Sequence, residues 1–102
     1  MIRDTIISRL QAHEAELRQS GVTSLAVFGS VARGEERPDS DVDVVLRLNE
    51  EVSRGGFSYF GRLDALASRL RDIVGRQVDI MTEPVRKVRL RRAIARDSAR
   101  AF

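Results

Sequence analysis

The sequence predicts a single α/β domain in two layers, with helices packed on a small β-sheet. Its 102 residues suit one domain that buries roughly 65% of the surface exposed by the unfolded chain. Residues 2–18 and 57–74 carry apolar side chains at the three- and four-residue spacing of amphipathic helices. Three short apolar segments rich in β-branched residues alternate with the helical segments, which is typical of an α/β architecture.

The composition indicates the class of protein. With 42% hydrophobic and 32% charged residues, the chain resembles globular rather than disordered proteins. The sequence has no cysteine, which fits a reducing compartment. No apolar run approaches the roughly 20 residues of a membrane helix, and Asp4 interrupts the apolar N-terminus, unlike a signal peptide. We therefore expect a cytoplasmic protein without membrane association.

The first half of the chain predicts a helix, a strand and a short second helix. The amphipathic helix at residues 2–18 contains His13, which we expect to be an ordinary surface or core-edge residue because no second histidine is available to it. The continuously apolar segment 24–28 indicates a strand buried on both faces. A Gly-Ser pair ends it, residues 31–34 allow a turn or two of helix, and residues 35–40 form a polar loop.

Two further strands follow. Residues 41–48 begin as alternating aspartate and valine and continue as an apolar run, which predicts the second strand. Residues 49–56, with a Gly-Gly pair, predict a flexible loop. The third strand is predicted at residues 77–82, with Asp79 in its middle.

Two helices complete the predicted order of helix, strand, helix, strand, helix, strand, helix. The helix at 57–74 has Phe60 on its apolar stripe and Tyr59 beside that stripe, where we expect partial exposure. Pro84 then begins a last helix, at about residues 85–99. We assign residues 1–102 to this one domain.

The first candidate site is the Gly29-Ser30 turn between the first strand and the short helix. Free backbone N–H groups, a hydroxyl and a positive helix end suit the phosphates of a triphosphate. Gly29 permits close approach of the backbone to a ligand. Taken alone, such a turn more often serves only to reverse the chain.

The second candidate site is a set of aspartates. The period of a strand places Asp41 and Asp43 on one face, where two carboxylates repel unless a divalent cation lies between them. Asp79 on the third strand could stand next to this pair. Oxygen-only ligands suit Mg²⁺ or Mn²⁺ better than zinc. Such a cluster can hold two ions about 4 Å apart, as in phosphoryl or nucleotidyl transfer.

These residues carry a family resemblance. Residues 29–34, Gly-Ser-Val-Ala-Arg-Gly, precede by five residues the segment 40–43, Ser-Asp-Val-Asp. This register resembles the GSxARGxxxxxSDxD signature of the DNA polymerase β-like nucleotidyltransferase superfamily. The small size resembles its minimal nucleotidyltransferase (MNT) branch, whose members are often encoded beside a HEPN-domain protein as toxin–antitoxin pairs. The resemblance implies the nucleotidyltransferase fold, a small mixed sheet packed with helices.

The resemblance also implies a role for each motif residue. Gly29 and Ser30 would hold the β- and γ-phosphates of ATP. Asp41 and Asp43 would bind both Mg²⁺ ions, whereas Asp79 would bind only the catalytic ion and help to activate the attacking hydroxyl.

Two other motif residues complete the set. Arg33 could pair with a phosphate or brace the loop through the acids of the motif, because arginine serves both uses. Ser40 is expected to orient the loop before the second strand rather than to contact the nucleotide.

The implied activity is Mg²⁺-dependent transfer of AMP from ATP to a tyrosine hydroxyl of a HEPN toxin, with this chain as the antitoxin. Because larger relatives carry an additional helical domain for base and acceptor, we expect a partner to complete the acceptor site. Two alternatives stay open at this point. One is a non-catalytic antitoxin that acts by binding alone, and the other is nucleotidyl transfer to a small molecule such as an aminoglycoside.

The basic charge is concentrated at the C-terminus. Residues 85–102 hold seven of the 18 basic side chains and one acid, Asp97. A docking surface for an acidic partner, nucleic-acid binding and a solvated helix face all fit this pattern. We favour the partner surface over nucleic acid because the segment has no aromatic residue before Phe102 for base stacking.

Overall fold

The computed structural model describes residues 2–35, 37 and 39–102, and it does not describe the side chain of Phe57. Glu36 and Pro38, which belong to the predicted polar loop, therefore lie outside the described residues. The elements in chain order are α1 (Ile2–Ala12), α2 (Glu14–Gln19), β1 (Val22–Phe28), α3 (Ser30–Arg33), β2 (Val42–Leu48), α4 (Glu50–Ser53), α5 (Phe57–Val74), β3 (Val78–Thr82), α6 (Val88–Asp97) and β4 (Ala99–Arg100).

The four strands form one mixed sheet in the order β3-β2-β1-β4. β1 is antiparallel to both β2 and β4, whereas β2 and β3 are parallel. The parallel pair is possible because α5 carries the chain back across the sheet between β2 and β3. The predicted α/β fold class with a small mixed sheet is confirmed.

Alternation along β2 separates a core face of the sheet from a second face. Val42, Val44 and Leu46 are at most 1% exposed and pack with side chains of α1 and α5 in the hydrophobic core. Asp43 and Arg47 point to the second face, because successive side chains of a strand alternate. The chain thus keeps the charged residues of β2 away from its main core.

Helix α6 lies against part of the second face. It has no buried residue, and a cavity of about 280 Å³ opens between its Arg91 and Ile94 and Arg47 of β2. None of the helices in the described part of the chain combines the length and apolar character needed to cross a membrane.

The predicted first helix is two helices. His13 leaves helical geometry, with φ −105° and ψ 16°, and separates α1 from α2. Its Nδ1 lies 3.3 Å from Glu16 Oε1, and the residue is partly exposed, as expected. The apolar stripe continues across the break from Leu10 to Leu17, both fully buried, so periodicity alone could not reveal it.

The prediction of a flexible loop at residues 49–56 was wrong in its first half, which contains α4. Asn49 caps this helix, since its side-chain oxygen accepts a hydrogen bond from Val52 N at 2.9 Å. Val52 is buried, which gives the short helix an anchor in the fold. The signal in the sequence is an N-cap asparagine followed by Glu50 and Glu51 in the first turn.

The prediction of α5 was correct in its bounds but wrong for Phe60. The helix runs from Phe57 to Val74 and ends at Gly75, which adopts the left-handed conformation. Phe60 is 67% exposed and meets the ring of Tyr59 edge-on, with the ring centroids 5.3 Å apart. Among the side chains of α5 that the structure describes, the first buried one is Leu66.

The C-terminus also differs from the prediction of a helix at 85–99. Helix α6 begins at Val88, three residues later, and stops at Asp97. The residues after it form β4, which pairs with Ala26 and Val27 of β1. Phe102 is buried beneath the guanidinium of Arg18, 4.9 Å from the ring centroid. For the residues after Asp97, pairing with β1 and burial of the Phe102 ring are more favourable than a longer helix α6.

The predicted strand bounds shift by one or two residues. β1 begins at Val22 instead of residue 24, β2 at Val42 instead of residue 41, and β3 at Val78 instead of residue 77. The shift of β2 leaves Asp41 just before the strand.

Candidate active site

The turn between β1 and α3 brings backbone close to the second face of the sheet. Gly29 is the N-cap of α3, with φ 76° and ψ −148°, a backbone region that is almost exclusive to glycine. The hydroxyl-bearing Ser30 opens the helix, and Gly34 ends it in the left-handed conformation. The two glycines of the motif therefore fix both ends of a single helical turn.

Gly29 also lies directly against Asp43. Phe28 and Asp43 are register partners in the β1–β2 ladder, so the turn begins beside this aspartate. A β-carbon placed on Gly29 would stand 2.6 Å from Asp43 Oδ2. Only glycine lets the backbone of the turn and this carboxylate share the space.

Asp43 and Asp79 are neighbours across the parallel strands. They are register partners in the β2–β3 ladder, and partners in register point to the same face. Asp43 is half-buried, whereas Asp41 and Asp79 are exposed. Burial raises the pKa of the Asp43 carboxyl, and the negative charges of Asp79 and then Asp41 raise that pKa further, while Arg33 opposes them. Asp79 and Asp41 are thus each close enough to Asp43 to repel its charge.

Within residues 2–35, 37 and 39–102, no group of three or more His, Cys, Asp or Glu side chains already stands in position to hold a metal ion. The donor set nevertheless fits a hard divalent cation, because it consists only of carboxylate oxygens. Burial and then the charges of Asp79 and Asp41 raise the pKa of Asp43, and a bound cation would relieve the part that comes from these charges. The aspartates fit such an ion after adjustment of their side chains.

Arg33 contacts two carboxylates in this structure. Its Nε donates to Glu35 Oε2 at 3.0 Å, and its Nη1 donates to Asp97 Oδ2 at 3.5 Å. Glu35 and then Asp97 hold the pKa of the Arg33 guanidinium above its usual value. Of the two uses left open by the sequence, this geometry matches the brace, and it ties the motif to the end of α6.

Ser40 closes the loop before β2. Its hydroxyl accepts a hydrogen bond from Arg37 N at 2.8 Å, and its own N–H donates to Arg37 O at 2.9 Å. Arg76 Nη1 then donates to Arg37 O at 3.1 Å, which links the loop to the residues before β3. These contacts hold Ser40 within the loop, and its role in orienting the loop stays a prediction.

Two residues of this environment were missed by sequence reasoning, Arg76 and Asp97. Both reach the motif across long sequence separations, 39 residues from Arg76 to Arg37 and 64 from Asp97 to Arg33. No local pattern marks Arg76. The single acid among seven basic residues was a weak signal for Asp97, because an isolated opposite charge often has a specific partner.

Comparison with known proteins gives the chain a family. Residues 10–101 match the model of the nucleotidyltransferase domain. The protein adenylyltransferase MntA of Thermococcus cleftensis is 34% identical over 95 residues, which cover 92% of this chain and 90% of that protein. The chain also superposes on a solved structure that is described as a minimal nucleotidyltransferase. The TM-score is 0.74 at 32% identity, and the match covers 97% of this chain and 95% of the other.

More distant structures share the fold alone. One is a toxin–antitoxin with AMP-PNP, with a TM-score of 0.62 at 17% identity, covering all of this chain and 73% of the other. Another is a tri-AMPylated HEPN toxin of Shewanella oneidensis in complex with an MNT antitoxin, with a TM-score of 0.53 at 15% identity, covering 99% and 69%. On the family match, the MntA relative and the geometry of the motif, the chain belongs to the nucleotidyltransferase family, in its minimal nucleotidyltransferase branch, and is an enzyme of that class.

Proposed function

We propose that this chain transfers AMP from ATP to a tyrosine hydroxyl of a HEPN-domain toxin and so acts as its antitoxin. The observation that carries the proposal is the pairing of Asp43 with Asp79 in register, directly against the Gly29 turn. The relative named protein adenylyltransferase MntA supports AMP transfer to protein. The fold shared with a toxin–antitoxin that contains AMP-PNP, and with the MNT–HEPN complex, supports ATP and the toxin partner.

The Gly29-Ser30 turn is proposed to bind the β- and γ-phosphates of ATP. Gly29 has no side chain between its backbone and Asp43, and Ser30 adds a hydroxyl at the start of α3. Backbone N–H groups and a hydroxyl are ordinary ligands of phosphate oxygens. Arg33 and Ser40 are proposed to keep the turn and the following loop in place through the contacts described above.

Asp41, Asp43 and Asp79 are proposed to hold two Mg²⁺ ions, with Mn²⁺ as a possible substitute. Asp41 and Asp43 would contact both ions, and Asp79 the catalytic one. When bound, the ions would neutralise the charge that accumulates on the transferring phosphate and on the leaving group. This chain would supply the negative charge that attracts the ions. Without a cation, burial and the charges of Asp79 and Asp41 disfavour the ionised form of Asp43, which is why its pKa is raised.

The reaction then requires one bond to form and one to break. The tyrosine oxygen forms a bond to the α-phosphorus of ATP, and the bond from that phosphorus to the oxygen bridging to the β-phosphate breaks. Pyrophosphate leaves, held at Gly29 and Ser30. The hydroxyl proton passes to the carboxylate of Asp79, which is exposed and therefore accessible to an acceptor from another protein.

A direct test uses the purified chain, Mg²⁺, ATP labelled on the α-phosphate and the protein encoded by the neighbouring gene. We expect label on the neighbour with the wild-type chain and no label with Asp43→Ala. Asp64→Ala is the matched control, since Asp64 is an exposed residue of α5. Equal labelling by Asp43→Ala would remove the catalytic assignment.

The same assay separates the alternatives. An antitoxin that only binds should suppress the toxicity of the neighbouring-gene protein without labelling it. Wild type and Asp43→Ala should then suppress that toxicity equally. Consumption of ATP with an aminoglycoside and no partner protein is the result expected of a small-molecule nucleotidyltransferase. We propose that the reaction takes place in the cytoplasm, because a sequence without cysteine fits a reducing compartment.

A further inference from the structure

Strand β3 ends the sheet next to the proposed active site, and β2 is its one strand neighbour. Gln77 O accepts a hydrogen bond from Val42 N, and Glu83 N donates to Leu46 O, each at 2.9 Å and each with its partner on β2. Because backbone groups alternate in direction along a strand, the odd-numbered residues face β2. The outer-edge residues, whose N–H and C=O groups face away from β2, are therefore Val78, Ile80 and Thr82.

This outer edge carries one charged side chain, Asp79, but β3 contains no proline, lysine or bulge. Edges are commonly protected by proline, lysine, bulges or very short strands. β3 has five residues, Val-Asp-Ile-Met-Thr, and its ladder with β2 has no shift of register. Within the residues that the structure describes, no hydrogen bond reaches the backbone of Ile80 from the outer side. The opposite edge of the sheet, β4, offers only two residues.

A groove of about 320 Å³ runs beside this edge. Ile80 and Met81 of β3 and Leu90 of α6 give it an apolar lining. Arg86 and Lys87, which are exposed, also line it. An extended chain lying here would contact backbone groups on one side and apolar and cationic side chains on the other, which is the combination found in peptide recognition by strand addition.

The position of Asp79 links the outer edge of β3 to the proposed active site. Residues paired across neighbouring strands point to the same face, with β-carbons about 4.5–5.5 Å apart. Asp79 already shares a face with Asp43 on its inner side. A residue paired with Asp79 on its outer side would present its side chain on that same face, beside the carboxylate proposed to take the hydroxyl proton.

We propose that the outer edge of β3 binds an extended, acidic segment of the protein acceptor as a fifth strand, with the acceptor hydroxyl on the residue opposite Asp79. This inference rests on the proposed function and names the surface by which that function reaches its substrate. The transfer step keeps the balance given above, with the hydroxyl proton passing to Asp79 and pyrophosphate leaving.

The acidic character of the segment follows from charge complementarity. Arg86 and Lys87 line the groove, and residues 85–102 around them hold seven basic side chains against one acid. Opposite charges at the rim of an interface speed association and select the partner. An acidic flank on the acceptor would therefore guide it to the edge, while the backbone pairing would set its register.

Amide hydrogen exchange of the ¹⁵N-labelled chain tests the pairing directly. The probe is the neighbouring-gene protein that accepts label in the assay above, added with a non-hydrolysable ATP analogue. We expect the amides of Ile80 and Thr82 to exchange about tenfold or more slowly in the complex. The amide of Met81, which already faces β2, is the internal control and should change little. A complex in which Ile80 and Thr82 exchange as fast as in the free chain overturns the inference.

Charge-reversal variants provide a second measurement. Arg86→Glu with Lys87→Glu should raise the KM for the acceptor protein roughly tenfold, with kcat and the KM for ATP nearly unchanged. Arg89→Glu with Arg92→Glu is matched, because both residues are exposed on α6 and the net charge changes equally. An equal rise in the KM for the acceptor protein in the two double variants would overturn recognition by the groove. It would indicate instead that the acceptor is attracted by the basic residues of segment 85–102 as a whole.

Failure of this inference differs from failure of the proposed function. If wild type labels the acceptor while the outer-edge amides stay unprotected, the acceptor docks elsewhere and the enzyme activity stands. If wild type labels no protein, the proposed function is wrong and the inference is wrong with it.

Discussion

The α-carbon of Gly29 faces the carboxylate of Asp43 so closely that a β-carbon at residue 29 would stand 2.6 Å from Asp43 Oδ2. The turn at Gly29 and strand β2 are therefore in direct contact. A change in either one must displace the other. This contact brings together two motifs that are separated along the chain.

Gly29→Ala should lower both stability and activity. The backbone of Gly29 lies in a region almost closed to other residues, and occupying it costs about 1–3 kcal/mol of the free energy of unfolding. The added methyl group must also push Asp43 aside, so transfer should fall more than stability explains. Denaturant unfolding and the labelling assay measure the two effects.

Gly61→Ala is the control for this prediction. Gly61 lies inside α5, and a β-carbon added there would have nothing within 4 Å of it. The same substitution should stabilise the helix by about 0.5–1 kcal/mol and leave transfer unchanged. Unaltered stability and transfer in Gly29→Ala would contradict the tight contact.

Asp43→Asn should abolish transfer without lowering stability in the presence of a chelator. Burial and the charges of Asp79 and Asp41 raise the pKa of Asp43, so its ionised form destabilises the fold. The amide has the same shape and no charge. Urea unfolding at pH 7 should therefore give a free energy of unfolding equal to or above that of wild type. A clear loss of stability would show that the carboxylate is not strained by its neighbours.

The same raised pKa predicts a pH dependence. The penalty is fully present above the folded-state pKa of Asp43, decreases as the pH falls through that pKa, and vanishes below the unfolded value of about 3.9. With chelator present, wild type should gain stability relative to Asp43→Asn as the pH falls through this acid range. A constant difference between the two proteins across the range would contradict the assigned pKa direction.

Mg²⁺ should stabilise the wild-type chain. A cation that binds only the folded state adds about 2.7 kcal/mol at roughly 100 times its Kd. The thermal midpoint should therefore rise with Mg²⁺, return with chelator, and respond far less in an Asp41→Asn, Asp43→Asn double variant. An equal rise in that variant would place the ion elsewhere.

Arg33 is predicted to act on the motif through its acids. In that case Arg33→Ala and Asp97→Ala both loosen the link between α3 and α6, and each should raise the KM for ATP by a similar factor, within about threefold of the other. The double variant should have a KM for ATP little higher than that of either single variant, because both substitutions remove the same contact between Arg33 and Asp97. A much larger effect of Arg33→Ala alone would indicate a direct contact with phosphate.

How much the sequence could predict depended on the separation of the residues involved. The Gly29-Ser30 turn and the two aspartates of β2 and its start lie within one short stretch, so turn chemistry and strand period could single them out, although Asp41 lies just before the strand. Asp79 required the family resemblance, because one aspartate in a strand does not set its own register. The parallel pairing of Asp43 with Asp79 is a property of the folded sheet.

The features that escaped prediction depend on tertiary contacts. The break at His13 interrupts a helix whose apolar stripe continues, and β4 forms only because β1 offers an edge beside it. The links from Arg76 to the loop and from Asp97 to Arg33 join distant parts of the chain. Local propensity has no information about such partners.

Intact-mass spectrometry of the neighbouring-gene protein, co-expressed with this chain, tests the central claim most directly. Wild type and the exposed-residue control Asp64→Asn should each increase the mass of that protein by one AMP residue or a whole multiple of it. Asp43→Asn and Asp79→Asn should leave the mass unchanged. The same increase with either of these two variants, or no increase with wild type, would contradict AMP transfer by the carboxylates of β2 and β3.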